Sequence, residues 1–295
     1  MNVKCSLCPR ECNIDRQVKN GYCGVGNMLR VARAALHFWE EPCISGEEGS
    51  GAVFFAGCNL RCVFCQNYHI ARAEQGKEIT VERLSEIFLE LQEQKANNIN
   101  LVTATHYVPQ VVCALKSARE KGLKIPVVYN CGGYESVSTL KMLEGLVDIY
   151  LPDFKYMDGV RAKKYSHAEN YPQVAKAALA EMVRQCGEAE FDERGIMKKG
   201  VIVRHLMIPG GIKDSKAVVK YLYETYGNQI YMSLMNQYTP LPHVADYPEI
   251  NRKLKKFEYD RLVDYAISLG VENGFIQEGE TAEESFIPAF TNEGV

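Results

Sequence analysis

Gly51-Ala-Val-Phe-Phe-Ala-Gly57 runs straight into Cys58-Asn59-Leu60-Arg61-Cys62-Val63-Phe64-Cys65-Gln66-Asn67. The stretch up to Gly57 is apolar and bounded by glycines, the pattern of a fully buried strand. The cysteines follow at once, so they belong to a loop at that strand's carboxyl end. In parallel α/β folds that end is where sites assemble.

The same alternation repeats downstream. Apolar strands are expected at Ile99–Thr103, Ile125–Tyr129, Val147–Leu151, Val201–Ile208 and Gln229–Met235. Helices fit between them. Thr80 can cap one through Ala96, with Val81, Leu84, Ile87, Phe88 and Leu91 on one face. Others span Gln110–Lys121, Ser136–Glu144, Tyr171–Cys186, Ser215–Tyr226 and Lys256–Leu269. Strands with crossover helices make an α/β fold around a parallel sheet. Periodicity leaves both an open doubly wound sheet and a barrel standing, although a full barrel has more units. Residues 1–48 are a cysteine-rich segment with little periodicity, 49–270 hold the strands and helices, and 271–295 form a weakly patterned tail.

Cys58, Cys62 and Cys65 are spaced Cys-X3-Cys-X2-Cys, with no fourth cysteine nearby. A four-iron cluster normally takes four thiolates. Three leave one iron open to a small molecule, and S-adenosylmethionine (SAM) can fill that place with its amino and carboxylate groups. An electron from the cluster then cleaves the sulfonium and releases a 5′-deoxyadenosyl radical. The cofactor supplies this chemistry, and the protein positions it and excludes water. The competing reading is zinc, with His69, four positions after Cys65, as a fourth ligand. Spacing and strand context together favour the cluster.

The chain has 295 residues, 34 basic and 37 acidic side chains, a formal net charge of -3 and 46% apolar residues. This balance is that of a globular protein and excludes disorder or a polybasic nucleic-acid binder. Near-neutral charge gives extended nucleic acid no footing. No run of about 18 apolar residues exists to span a membrane. The first residues lack the apolar core of a secretory signal. The expected compartment is therefore the reducing cytosol, where clustered cysteines more often bind metal or do chemistry than pair.

Cysteine is the outlier, with eleven residues, an odd number that complete internal pairing cannot use. Cys5, Cys8, Cys12 and Cys23 form a second four-ligand pattern. Structural zinc, an auxiliary iron–sulfur cluster and no metal are the readings it leaves open. Cys113 and Cys186 read as small buried hydrophobes, and Cys43 has no assignment. The single tryptophan, in His37-Phe38-Trp39, reads as core packing.

The segment at 58–67 resembles the radical SAM motif, and in detail that of the activating enzymes of glycyl radical enzymes. More specifically, the chain resembles the uncharacterised iron–sulfur homologues of pyruvate formate-lyase activating enzyme. The likeness covers nearly the whole chain. It includes Cys5-Ser-Leu-Cys-Pro-Arg-Glu-Cys12, Glu40-Glu-Pro-Cys-Ile-Ser-Gly46, Arg204-His-Leu206 and Gly274-Phe-Ile-Gln-Glu-Gly279. It implies a partial (β/α)6 barrel with an N-terminal cysteine-rich segment. It also implies a [4Fe-4S] cluster on Cys58, Cys62 and Cys65 that binds SAM.

By the same resemblance, Phe64 lies near the adenine and Asp153-Phe154-Lys155 matches an Asp-X-Lys motif near the SAM carboxylate. Asn130 and Cys131 fall where further cofactor or cation contacts are placed. Arg204 matches a basic residue near the cofactor, and Gln237 stands near a position usually held by histidine. Each has a plainer alternative: a solvated salt bridge for Asp153 and Lys155, a core carboxylate partner for Arg204, a turn for Asn130. The pattern departs at Thr103-Ala-Thr-His106, where the family has a Gly-Gly-Glu-like motif for the SAM amine. Threonine hydroxyls offer acceptors there. His106 is a ligand, a proton-transfer group or a satisfied strand-end histidine.

The resemblance implies hydrogen abstraction from a substrate, with a backbone glycine of a glycyl radical enzyme as first candidate. Another peptide or a small metabolite is the second. A non-catalytic iron–sulfur or zinc interaction module is the reading from a different class. A flavodoxin or ferredoxin is the implied electron donor.

Overall fold

Every residue of Ser50–Phe55 is buried, as an apolar strand covered on both faces must be. In the computed structural model, which describes residues 4–277, 288 and 290–295, this strand is β2. The others are β1 (Leu29–His37), β3 (Lys77–Ile79), β4 (Ile99–Val102), β5 (Val127–Cys131), β6 (Ile149–Pro152), β7 (Glu190–Phe191), β8 (Met197–Leu206), β9 (Tyr231–Met235) and β10 (Gly274–Ile276). Glu278 and Gly279, at the end of the last stretch of likeness, lie outside the described residues.

The order across the sheet is β10-β9-β8-β6-β5-β4-β2-β1-β3, with β7 paired only to β8. From β2 to β10 every neighbour on this path runs parallel. The strands expected from sequence are β2, β4, β5, β6, β8 and β9, so the alternating α/β reading holds. The sheet is not closed, and its path ends at β10 on one side and β3 on the other. The carboxyl ends of its parallel strands therefore converge on one rim.

The connecting helices follow their apolar periodicity. Thr80 caps Val81–Glu93, its hydroxyl accepting the Arg83 N–H at 3.1 Å, and Leu84, Ile87, Phe88 and Leu91 face the core. Tyr171–Cys186 and Lys256–Leu269 are helical as expected. In the helix Val108–Glu120 the buried residues are Val108, Val111, Ala114, Leu115 and Ala118. Cys113 lies off that face and is exposed, which corrects its reading as a buried hydrophobe, whereas Cys186 is buried. Among the described residues no helix is long and apolar enough to cross a membrane.

The amino-terminal segment enters the same sheet. β1 pairs antiparallel with β2 from Val31 opposite Phe55 to His37 opposite Ser50. The carboxyl terminus returns alongside it: Ala34 N–H donates to Glu293 O at 2.9 Å and Asn292 N–H to Ala32 O at 3.1 Å.

Candidate cluster and cofactor site

The loop after β2 is turned by its backbone. Gly57 has φ +93, and a Cβ there would stand 2.8 Å from Cys23 O and 3.1 Å from His106 Nε2. Only glycine combines that conformation with so close an approach. Arg61 is also left-handed, at φ 56. The bends bring Cys58, Cys62 and Cys65 to the wall of one cavity of about 240 Å³.

Hydrogen bonds hold the loop from several directions. Cys58 N–H donates to Cys23 O at 3.2 Å and Val63 N–H to Tyr165 O at 2.9 Å. The Asn59 amide donates to Tyr134 O at 2.7 Å. Two donors point at the sulfurs themselves: Ser166 Oγ at 2.9 Å from Cys62 Sγ and Leu60 N–H at 3.4 Å from Cys58 Sγ. Burial pushes the Cys62 thiol up, against the pull of Lys155, and burial raises Cys65 as well. Thiolates in so dry a place need a bound cation to offset their charge. The donor set therefore fits a thiolate-held iron cluster.

The opposite wall is built from strand ends. Thr103 follows β4, Asn130 and Cys131 end β5, Asp153 and Lys155 follow β6, Arg204 lies on β8 and Gln237 follows β9; all line the cavity, as does Phe64. The structure thus gathers every residue the sequence nominated for SAM, Phe64, Asn130, Asp153, Lys155 and Arg204, around the cysteine triad.

Charge on this wall is dense and paired. Lys155 Nζ lies 2.7 Å from Asp153 Oδ2, and Arg204 Nε 3.3 Å from Asp153 Oδ1. Arg204 also bonds Glu40 Oε2 at 3.0 Å and the Asn130 side-chain oxygen. Asn130 and Asn100 amides both donate to Glu40 Oε1, at 3.3 and 3.0 Å. Burial alone would raise Asp153, but Lys155 and Arg204 outweigh it and hold the carboxyl below its ordinary value. Burial would likewise depress Lys155, and Asp153 reverses this. Arg204 Nε faces Asp153 as an ion pair but has no hydrogen-bond partner.

Thr103 is the strained member, a β-branched residue at φ 62, a conformation that costs energy and marks functional positions. His106 is not in the cavity. It is buried, its Nε2 is 2.8 Å from Ala56 O, and burial lowers it to about 3. Its Nδ1 is buried without a partner, so of the three readings it is a buried, half-satisfied histidine rather than a ligand in the cavity. His69 pairs with Glu74 at 2.7 Å on the surface and is 67% exposed, so it completes no site with the triad.

Sequence reasoning missed two cavity residues. Trp39 is 64% exposed and lines the cavity, not the core. It lies beyond His37, the last residue of β1 paired to β2. Glu40, quoted only as part of a likeness, is the carboxylate that joins Arg204, Asn130 and Asn100. The proximity of Glu40 to Trp39 in an otherwise unpatterned stretch was the one available hint.

Residues 52–186, which contain the triad, match the radical SAM superfamily. The chain carries a radical SAM domain. This family implies a [4Fe-4S] cluster and SAM, consistent with the donors around the cavity. An uncharacterised protein of Methanocaldococcus jannaschii is 27% identical over 270 residues, covering 89% of this chain and 74% of the relative. A second uncharacterised protein of that organism is 24% identical over 258 residues, covering 77% and 68%. Among solved structures, Streptococcus suis SuiB bound to S-adenosylmethionine superimposes with a TM-score of 0.52 at 16% identity. That match covers 75% of this chain and 48% of SuiB, so the chain spans about half of SuiB's length. Methylornithine synthase superimposes with a TM-score of 0.50 at 15% identity, covering 74% and 68%. At these identities the likeness is one of fold: the radical SAM domain has the architecture of radical SAM enzymes.

Proposed function

We propose that the protein is a radical SAM enzyme acting in the reducing cytosol, and that the cavity is its active site. Cys58, Cys62 and Cys65 hold the cluster. Bound there, the cluster and SAM supply reductive sulfonium cleavage and a hydrogen-abstracting radical. Lys155 and Arg204 present positive charge to the SAM carboxylate, with Asp153 and Glu40 fixing their positions. Asn130 orients Arg204. Phe64, packed 6.1 Å from the Tyr238 ring, offers an apolar face to the adenine. Thr103 presents its hydroxyl where an amine acceptor is needed. The strand-end walls keep water from the reacting atoms.

The convergence of the cysteine triad with the Asp153–Lys155–Arg204 group on one cavity carries this reading. A glycyl radical enzyme is the proposed substrate and a flavodoxin or ferredoxin the proposed electron donor, both by family resemblance. The four amino-terminal cysteines carry a separate metal centre in this reading.

The test is anaerobic reconstitution of the wild type and of a Cys58→Ala/Cys62→Ala/Cys65→Ala variant with iron, sulfide, SAM and reductant. Wild type should form 5′-deoxyadenosine and the variant none. Equal production by both sinks the proposal. A glycyl radical in the electron paramagnetic resonance spectrum, after mixing with a candidate partner, separates activation from modification of another peptide or metabolite.

A further inference from the structure

Cys5, Cys8, Cys12 and Cys23 stand outside the cavity, yet they are gathered. Cys5 N–H donates to Ile14 O at 2.8 Å and Asn13 N–H to Cys5 O at 3.0 Å, closing a tight loop. Glu11 and Asn13, at φ 42 and 52, turn it. Tyr22 N–H points at Cys12 Sγ from 3.4 Å. A Cβ on Gly21 would lie 3.4 Å from Cys23 Sγ and 3.7 Å from Cys12 Sγ, so both sulfurs face one small space. Cys8 is close enough to feel the charge of Cys12 and Cys23, and Cys23 that of Cys5 and Cys12. All four are free thiols.

Position separates the candidate metals. The quartet stands one backbone hydrogen bond from the triad loop. Zinc is redox-inert and has only a structural use there, whereas a thiolate-held iron–sulfur cluster can pass an electron on.

The quartet also touches the active-site loop. Cys23 O accepts the Cys58 N–H at 3.2 Å, so one backbone hydrogen bond joins a residue of each cysteine set. Arg10, within the quartet's loop, donates to Asn59 O at 2.8 Å. Cys5 and Cys12 are partly exposed, while Cys8 and Cys23 are buried. The group therefore has a solvent side and an inner side that faces the triad.

We propose that Cys5, Cys8, Cys12 and Cys23 hold a second iron–sulfur cluster that relays electrons to the triad through the Cys23–Cys58 hydrogen bond. A low-potential one-electron donor gives one electron at the Cys5–Cys12 side. The same electron leaves by Cys23 and Cys58 to the cavity, which returns the quartet to its oxidised state. No covalent bond forms or breaks in the transfer. Only the destination of the electron rests on the radical SAM reading.

The experiment uses the full chain carrying Cys58→Ala/Cys62→Ala/Cys65→Ala, reconstituted anaerobically with iron and sulfide in the presence of equimolar zinc. Retention of about four irons and about four sulfides per chain, as a four-thiolate cluster requires, is expected. So is a paramagnetic signal on reduction that SAM leaves unchanged. Zinc in place of iron, or no metal, overturns the assignment. The relay is read by stopped-flow reduction of the triad cluster with flavodoxin. Cys12→Ala, or Cys12→Ser where alanine prevents folding, should slow it; an unchanged rate overturns the relay. Should wild type fail to cleave SAM while the triple variant still holds four irons, the proposed function falls and the second cluster stands.

Discussion

Lys155 Nζ lies 2.7 Å from Asp153 Oδ2, just past the carboxyl end of β6. The pair shares Asp153 with Arg204, so one carboxylate balances two cations in a site where each side chain is less than a fifth exposed. Removing that carboxylate leaves Lys155 without its partner. Asp153→Asn should lower stability by about 3 kcal/mol, since a broken buried pair leaves uncompensated charge. Urea unfolding measures the loss. Adding Lys155→Met to Asp153→Asn should recover part of it, and a double variant no more stable than Asp153→Asn alone contradicts the pairing.

Thr103 shows the opposite trade. A β-branched residue at φ 62 is strained, and glycine relieves such strain. Thr103→Gly should stabilise the fold by about 1 kcal/mol while weakening SAM binding. Thermal melting reads the first effect and titration of the reconstituted protein with SAM the second. A variant that is neither more stable nor weaker in binding removes Thr103 from the site.

Gly133 is the tightest contact behind the cavity. Its φ is +75, and a Cβ would stand 2.1 Å from Asp153 O. That neighbour is backbone and cannot swing aside. Gly133→Ala should cost more than about 4 kcal/mol, the range of overpacking combined with backbone strain, and is checked by the soluble yield and melting temperature of the variant.

Two buried imidazoles set an acid limit. Burial lowers His106 to about 3 and His205 to about 4 from an ordinary 6.5, although each has a backbone carbonyl as partner. Between those values and 6.5 the unfolded chain binds protons that the folded chain refuses. Stability is therefore full above about pH 6.5 and is lost as pH falls, by about 3 kcal/mol per histidine at pH 4. His205→Gln should flatten the decline in unfolding free energy between pH 7 and pH 5. An unchanged slope shows that His205 takes up its proton in the folded state.

The parallel strands could be read because each is a short apolar run with its own glycine or turn boundary. The cavity residues Phe64, Asn130, Asp153, Lys155 and Arg204 could be nominated only through the family resemblance, which matched each of them in or beside one of those runs. β1 could not. Its sequence, Leu29-Arg-Val-Ala-Arg-Ala-Ala-Leu-His37, is rich in alanine, a poor strand former. Its support is remote: β2 on one side, β3 on the other, and Arg30 reaching Ala73 O and Gly76 O at 3.1 Å each. Glu40 was hidden for the same reason, because its meaning comes from Arg204, 164 residues away. Trp39 misled because size and apolarity argue for a core position whenever the mouth of a cavity is out of view.

The Arg10 guanidinium, beside its bond to Asn59 O, reaches Ser166 O at 3.2 Å and His167 O. Those carbonyls lie 156 and 157 residues further along the chain. During synthesis the amino-terminal cysteines emerge first, but this clamp has nothing to close on until His167 has left the ribosome. At translation speeds of about 5–20 residues per second, the interval is on the order of ten seconds. Over that time the quartet is a tethered, undocked set of thiols. Docking of the quartet is therefore a late event in the life of the nascent chain, with oxidation of those thiols as the hazard before it.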